Sequence, residues 1–542
     1  MLPHPQDYLL ILAACTGLAG LGKLVFDSGD WMRDLLLGMM LAGVSAAAFA
    51  WFAPVAVMPF LKGAVVIGLL GCAREAWRLW RKGAWSWPDR RSLMSMAICA
   101  VAAALLFLPF EVHFYTFAED GVYFIPFLEL RLADYVGPLK FAAYWPSLQG
   151  ASHLAFTTIL LGMTALVPQA NMLHGIEARY LFIILYFGRV LYLLVSRYDR
   201  NRLIYGAICL LLFYLFYNEI SACLRTSTMF YLVFLMEYTL IVLFPGEPET
   251  GKWKYLFPLI FVSALVSMKS ILIQLPLICA LYLFFCNIKN ITSVRLWLAG
   301  VVVGGQTLAL LFVPMPFEGL DVLPRLVSLG QFTTNDYFSK FGDGLINKES
   351  WLAPLYGPQV GLFAAFALLV GKYVLTAFAG LDRIKERLGD GLDPKLVLSL
   401  ELYVLTTLAS VVLIRNGGHG VTHQVWGVYT ISGIVVIIVS RALATLPTRW
   451  MAVVVAVAVL YAGLGRHTPW RYLAWPWQPH FAGVTLEQLE QAPHDWLLVR
   501  HGDEFPGNVA LRALMLNTRL LKGEVPVSYA GPAGVFIIED PK

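Results

Sequence analysis

Charge is scarce in this sequence. Only 14% of its 542 residues are Asp, Glu, Lys or Arg, against about 25% in an average globular chain. With 58% hydrophobic residues and a mean hydropathy of +0.68, that scarcity excludes a disordered chain and an ordinary water-solvated globule. Cysteine is also thinly used. The seven residues Cys15, Cys72, Cys99, Cys209, Cys223, Cys279 and Cys286 form no CxxC and no His/Cys ligand spacing. Nearly all lie in apolar runs, where a thiol behaves as a small hydrophobe, so neither a disulfide framework nor a zinc site is expected. The opening MLPHPQDYLL lacks a basic n-region, which argues against a cleavable signal peptide. No repeat of fixed period is visible, which argues against an inverted-repeat transporter.

Long apolar runs, by contrast, fill the sequence. A bilayer-spanning helix needs about 20 mostly apolar residues, and such stretches fall near 8–26, 33–53, 58–79, 93–110, 179–197, 202–217, 228–245, 255–268, 271–287, 295–313, 357–378, 396–414, 424–441 and 449–465. The expected fold class is therefore an all-α polytopic membrane protein of about 14 transmembrane helices. The apolar segment 146–168 is the ambiguous one, because a crossing there would invert everything after it. Basic residues in short loops mark the cytoplasmic side. Arg74 to Arg91, Arg197 to Arg202, Lys252 and Lys254, Lys289 and Arg295, Arg383 to Lys395, and Arg441 with Arg449 share one side only if 146–168 does not cross. It reads as a helix lying at the outer interface with one apolar face buried. The outer face then gathers the loops 111–178, 218–227 and 314–356 and a polar tail after 466. The tail reads as a small α/β domain, from strand-like DWLLVRHGDE and VPVSYAGPAGVFIIE around a helical stretch near 508–521.

Ionisable residues near membrane depth are expensive and so are candidate functional groups. Glu119 and Asp120 emerge just beyond the fourth span, with Gly121 permitting a tight turn and Tyr123 following. A carboxylate shielded from bulk water there can act as a general base; the plainer alternative is a solvated acid pair. Lys269 in VSMKS and Arg225 in SACLRTST stand at outer span ends, where a cation can hold a phosphate. Lys269 can equally snorkel, and Arg225 can pair structurally with Glu219. His419 and His423, four apart after Arg415, could share a helical face, but the glycines between them and the absence of HExxH favour a loop lining a polar pocket. The loop 314–356, with Asp336, Tyr337 and Asp343, is long enough to serve as a lid. His501-Gly502-Asp503-Glu504 reads as a turn.

The order of these features is similar to that of the GT-C glycosyltransferases, and looks most like the branch holding the lipid A aminoarabinose transferases and protein O-mannosyltransferases. The matching residues are Glu119-Asp120-Gly121-x-Tyr123, Tyr144-Trp145-Pro146, Ala178-Arg179, Arg197 to Arg200 and Lys269, within 93–290. The acid pair is Glu-Asp where the family more often has Asp-Glu, so either carboxylate can be the base. Three spans precede what looks like the family's first helix. The resemblance implies an accessory region 1–92, a catalytic membrane domain 93–465 with juxtamembrane helices in its external loops, and a periplasmic tail 466–542. It implies a bacterial inner-membrane enzyme whose active site faces the periplasm. A sugar would pass from a polyprenyl phosphate to a lipid, glycan or protein hydroxyl in one inverting displacement. Asp120 or Glu119 would take the acceptor proton, while Lys269, Arg225 and Arg415 would hold the donor phosphate. Tyr123, Tyr144, Glu219, Asp336, His419 and His423 would line the pocket. The acid pair could bind magnesium or manganese or work without a metal. Membrane lipids are expected partners and nucleic acid is not. Two other classes compete: an O-antigen ligase or polymerase, in which Arg415 and His419 would be central, and a flippase or transporter of lipid-linked saccharides.

Overall fold

The computed structural model describes residues 5–52, 56–83, 90–114, 154–168, 170, 172–196, 202–217, 220, 223–224, 228–243, 289–290, 292–294, 297, 432–438, 440, 453, 456, 527–529 and 536–538. Two compact units divide the chain between Leu193 and Leu194, with 315–319 and 468–542 joining the first. In the first unit run α1 (Pro5–Val25), α2 (Trp31–Phe52), α3 (Val57–Arg81), α4 (Arg90–Phe114), α5 (Leu154–Met163) and α6 (Met172–Ser196). The second contains α7 (Arg202–Leu215), α8 (Thr228–Leu243) and helical residues 432–438. A short antiparallel ladder pairs β1 (Val527–Tyr529) with β2 (Phe536–Ile538), Ser528 opposite Ile537. Among the described residues, four helices are long and apolar enough to cross a membrane: Pro5–Val25, Val57–Arg81, Arg90–Phe107 and His174–Ser196. They are the helices of a membrane protein.

The helix ends follow local chemistry. α1 opens with Pro5, whose missing N–H costs nothing in a first turn, and carries Asp7 near its start and Lys23 near its end, both matching the helix dipole. It stops where Asp27 (φ 47°) and Gly29 (φ 77°) enter the left-handed region, which Asp and Gly tolerate best. Asp30 then caps α2, its Oδ1 accepting the Arg33 backbone N–H at 2.9 Å. Asp34 reaches back to the turn, its Oδ1 accepting the Ser28 N–H at 2.9 Å and the Ser28 hydroxyl at 2.5 Å.

Glycine sets how closely these helices approach. A Cβ on Gly22 would collide with the Asp34 carbonyl, and one on Gly38 with the Leu18 carbonyl, so α1 and α2 touch backbone to backbone and run antiparallel. On another flank of α1, Gly17 meets Val65, and Gly20 meets Gly68 and Cys72, while Gly71 faces Leu24. That rising register makes α1 and α3 parallel. The Cys72 thiol donates across the same seam to the Thr16 carbonyl at 3.6 Å. Small residues that admit such approach are the usual means of packing helices in lipid.

α5 corrects one expectation. Its described residues, Leu154–Met163, do not lie on an interface with a single buried face. Residues 156–163 are buried all round. Ile159 fills the space Gly43 leaves on α2, the Thr158 hydroxyl donates to the Gly43 carbonyl at 2.7 Å, and Gly162 lies beside Leu61 and Leu18. The reason is legible in FTTILLGM: its only polar groups are threonines, and a threonine hydroxyl can be satisfied by a backbone carbonyl, as Thr164 is by Leu160 at 3.0 Å. No face needs water.

Gly22→Ala and Gly68→Ala should each lower the melting temperature of the detergent-solubilised protein, at a cost of about 1–3 kcal/mol for overpacking. Gly63→Ala, where an added Cβ meets nothing within 4 Å, should leave it unchanged or raise it. Three indistinguishable melting curves by circular dichroism would contradict the backbone-to-backbone packing.

Candidate functional site

Two polar junctions tie α6 to the first helical pair. At one end, His174 in the first turn of α6 places its Nε2 3.2 Å from Asp7 Oδ2 in the first turn of α1, and both side chains are mostly buried. At the other, Arg189 donates through Nε to Asp30 Oδ2 at 3.0 Å, with a second guanidinium nitrogen at 2.9 Å. The Asp30 carboxylate therefore does two things: Oδ1 caps α2 and Oδ2 holds Arg189.

These contacts fix direction. α6 starts at the end where α1 starts and finishes where α1 finishes. α4 runs the other way along α6: the Tyr180 hydroxyl donates to the Ala104 carbonyl at 3.1 Å, while Gly188 abuts Ala100. The chain thus leaves α4 and enters α6 at the same end of the helices. That is the relation the charge distribution requires if the segment between them makes no net crossing.

One part of the GT-C-like series lies at this end among the described residues. Ala178 and Arg179 close the second turn of α6, and both are fully buried. A guanidinium stays charged at any accessible pH. Its burial in an apolar helix is expensive and marks a functional candidate. His174 sits about 7 Å further out along the helix axis and about 140° round it, where it pairs with Asp7.

The other candidates, Glu119, Asp120, Tyr123, Tyr144, Glu219, Arg225, Lys269, Asp336, Arg415, His419 and His423, lie outside the described residues, as does His501 to Glu504. Sequence reasoning passed over Asp7, Asp30, His174 and Arg189. The signal was present for Arg189, a cation inside FGRVLYLLV; Asp7, Asp30 and His174 stand at run edges, where solvated end groups look the same. Glu237, fully buried within α8, was likewise unremarked. Among the described residues no group of three or more His, Cys, Asp or Glu could hold a metal ion. Cys15, Cys72, Cys99, Cys209 and Cys223 are free thiols.

No protein-family model, no curated protein and no solved structure matches the chain.

The shared end of α1 and α6 can be read by labelling. In a cysteine-free background, Gln6→Cys and Pro168→Cys should react with an impermeant maleimide from one side of sealed vesicles, and Asp27→Cys from the other. Opposite sidedness for 6 and 168 would break the assignment. In a double-mutant cycle, Asp30→Ala and Arg189→Ala should show a coupling of about 1–3 kcal/mol in stability; strictly additive losses would mean the two side chains do not interact.

Proposed function

We propose that the chain is an integral-membrane glycosyltransferase that moves a sugar from a polyprenyl phosphate to a lipid, glycan or protein hydroxyl. The observation that carries this reading is the ordered series Glu119-Asp120-Gly121-x-Tyr123, Tyr144-Trp145-Pro146, Ala178-Arg179 and Lys269, combined with the one-sided distribution of basic loops. The buried Ala178-Arg179 pair at the opening of α6 supports it, because a membrane helix has little reason to bury a guanidinium unless an anion or a partner needs it. On this reading the chain has about 14 spans, the three before α4 form an accessory region, and the tail after 466 is a small α/β domain. The basic loops face the cytoplasm of a bacterial inner membrane, so the site opens to the periplasm.

The mechanism follows from what the displacement requires. The donor's lipid tail partitions into the bilayer and concentrates its headgroup at the interface. Asp120 or Glu119 removes the acceptor proton as the hydroxyl attacks the anomeric carbon from the face opposite the departing phosphate, inverting it. Negative charge builds on that phosphate as the glycosidic bond breaks. Lys269 and Arg225, with Arg415, stabilise it through ionic hydrogen bonds. Tyr123, Tyr144, Glu219, Asp336, His419 and His423 surround the sugar.

The test is transfer by the purified protein from a set of synthetic polyprenyl-phosphate sugars, with released polyprenyl phosphate measured by mass spectrometry. Asp120→Asn or Glu119→Gln should lower turnover by about 10²–10⁴, the usual worth of a general base, with donor binding retained. Turnover equal to wild type in both variants would refute the mechanism. Lipid crossing liposomes without donor consumption would replace it with the transporter reading.

A further inference from the structure

The geometry points to a second binding site, for an anionic glycerophospholipid, along the outward stripe of α3. It needs only that the chain sits in a membrane and is independent of any catalysis.

α3 has 25 residues and is about 37 Å long, more than the roughly 30 Å hydrocarbon core. The surplus falls at its C-terminal end, where composition changes at Arg74. Ile67, Leu70, Arg74, Trp77 and Arg81 recur at alternating steps of three and four, so they form one stripe, with Arg78 beside Trp77. All of them are exposed. The stripe therefore turns from apolar to basic and aromatic along its length, in the order in which a phospholipid turns from acyl chain to headgroup.

The basic end is organised. The Trp77 and Trp80 rings lie 5.1 Å apart, and the Arg81 guanidinium carbon sits 4.9 Å from the Trp77 ring centroid. Cation–π contact of that kind holds a guanidinium in place while leaving its N–H edge open, and indoles favour the depth at which headgroups meet tails. The single acid in these turns, Glu75, is taken by Arg78 at 3.0 Å. Arg74, and Lys82 just past the helix, have no acidic partner among the described residues. The next helix adds net positive charge, opening on Arg90 and Arg91 after Asp89 in the sequence. An anion at this end of the helices relieves that excess. A soluble anion would meet the arginines but leave the indoles, Ile67 and Leu70 unanswered, so the occupant is a lipid.

The full-length protein, purified in a non-ionic detergent, is titrated with phosphatidylglycerol and with phosphatidylcholine of the same acyl chains, and occupancy is read by native mass spectrometry. Phosphatidylglycerol should bind several-fold more tightly, and its affinity should fall as sodium chloride rises from about 50 to about 300 mM. Arg74→Gln with Arg81→Gln should weaken it roughly 25-fold, about five-fold for each charge removed, while Arg74→Lys with Arg81→Lys stays within a few-fold of wild type. Equal affinity for the two lipids, phosphatidylglycerol binding unchanged in the Gln variant, or displacement of the lipid by glycerol phosphate alone would each overturn the site. Should the Gln variant fail to fold, the wild-type lipid preference and its salt dependence decide the matter.

Discussion

The approach of α1 to its neighbours through glycine underlies everything else described in the first unit. Helices surrounded by lipid gain no hydrophobic free energy by touching one another, because a neighbouring helix is no more apolar than an acyl chain. What remains is dispersion, which falls steeply with separation, and short polar contacts. Both demand close backbones. Gly22 and Gly38 provide this between α1 and α2, and Gly17, Gly20 and Gly68 between α1 and α3. The position of α5 depends on the same economy of side chains: Ile159 occupies the gap over Gly43, and Leu18 and Leu61 close over Gly162.

Close packing fixes proximity but not direction, and the polar junctions supply direction. His174 and Arg189 are about 22 Å apart along α6, and their partners Asp7 and Asp30 stand at opposite ends of α1. A reversed α6 would separate both pairs and strand a guanidinium among apolar side chains, where an uncompensated charge costs several kcal/mol. These pairs thus act chiefly by excluding an alternative topology, since a well-formed ion pair out of water does little better than break even. Asp30 joins the two levels of order. One oxygen ends the α1–α2 turn in a helix cap and the other sets the orientation of a helix 159 residues later in the chain.

The helices were legible because length and apolarity dominate their signal: runs expected at 8–26, 33–53, 58–79 and 93–110 correspond to Pro5–Val25, Trp31–Phe52, Val57–Arg81 and Arg90–Phe114. The extra residues are polar or charged end groups that hydropathy discounts, such as Asp7 and Arg81. The fate of 154–163 was half legible. That it makes no crossing was read from the one-sided basic loops, but its burial depends on Gly43, 115 residues away from Thr158, and no local pattern contains that information. The same holds for Arg189, whose place in an apolar run announces a partner without naming Asp30. For the candidate site, the sequence supplies residue types in an order that suits phosphate-linked sugar transfer. Of that series, Ala178 and Arg179 are seen in their surroundings, buried at the opening of α6.

The cations at the end of α3 and the buried Arg179 differ in a way that exposure decides. At the end of α3 the cations are in contact with water; the Arg78 side chain is 61% exposed. Charges there interact through high dielectric and are screened beyond about 8–10 Å at ordinary ionic strength. Such a surface can bias which lipids gather around the helix but discriminates weakly among them. Arg179 is fully buried, where the same charge acts through a far lower effective dielectric and is little screened. A buried cation must be answered by groups inside the protein, because little water is there to do so.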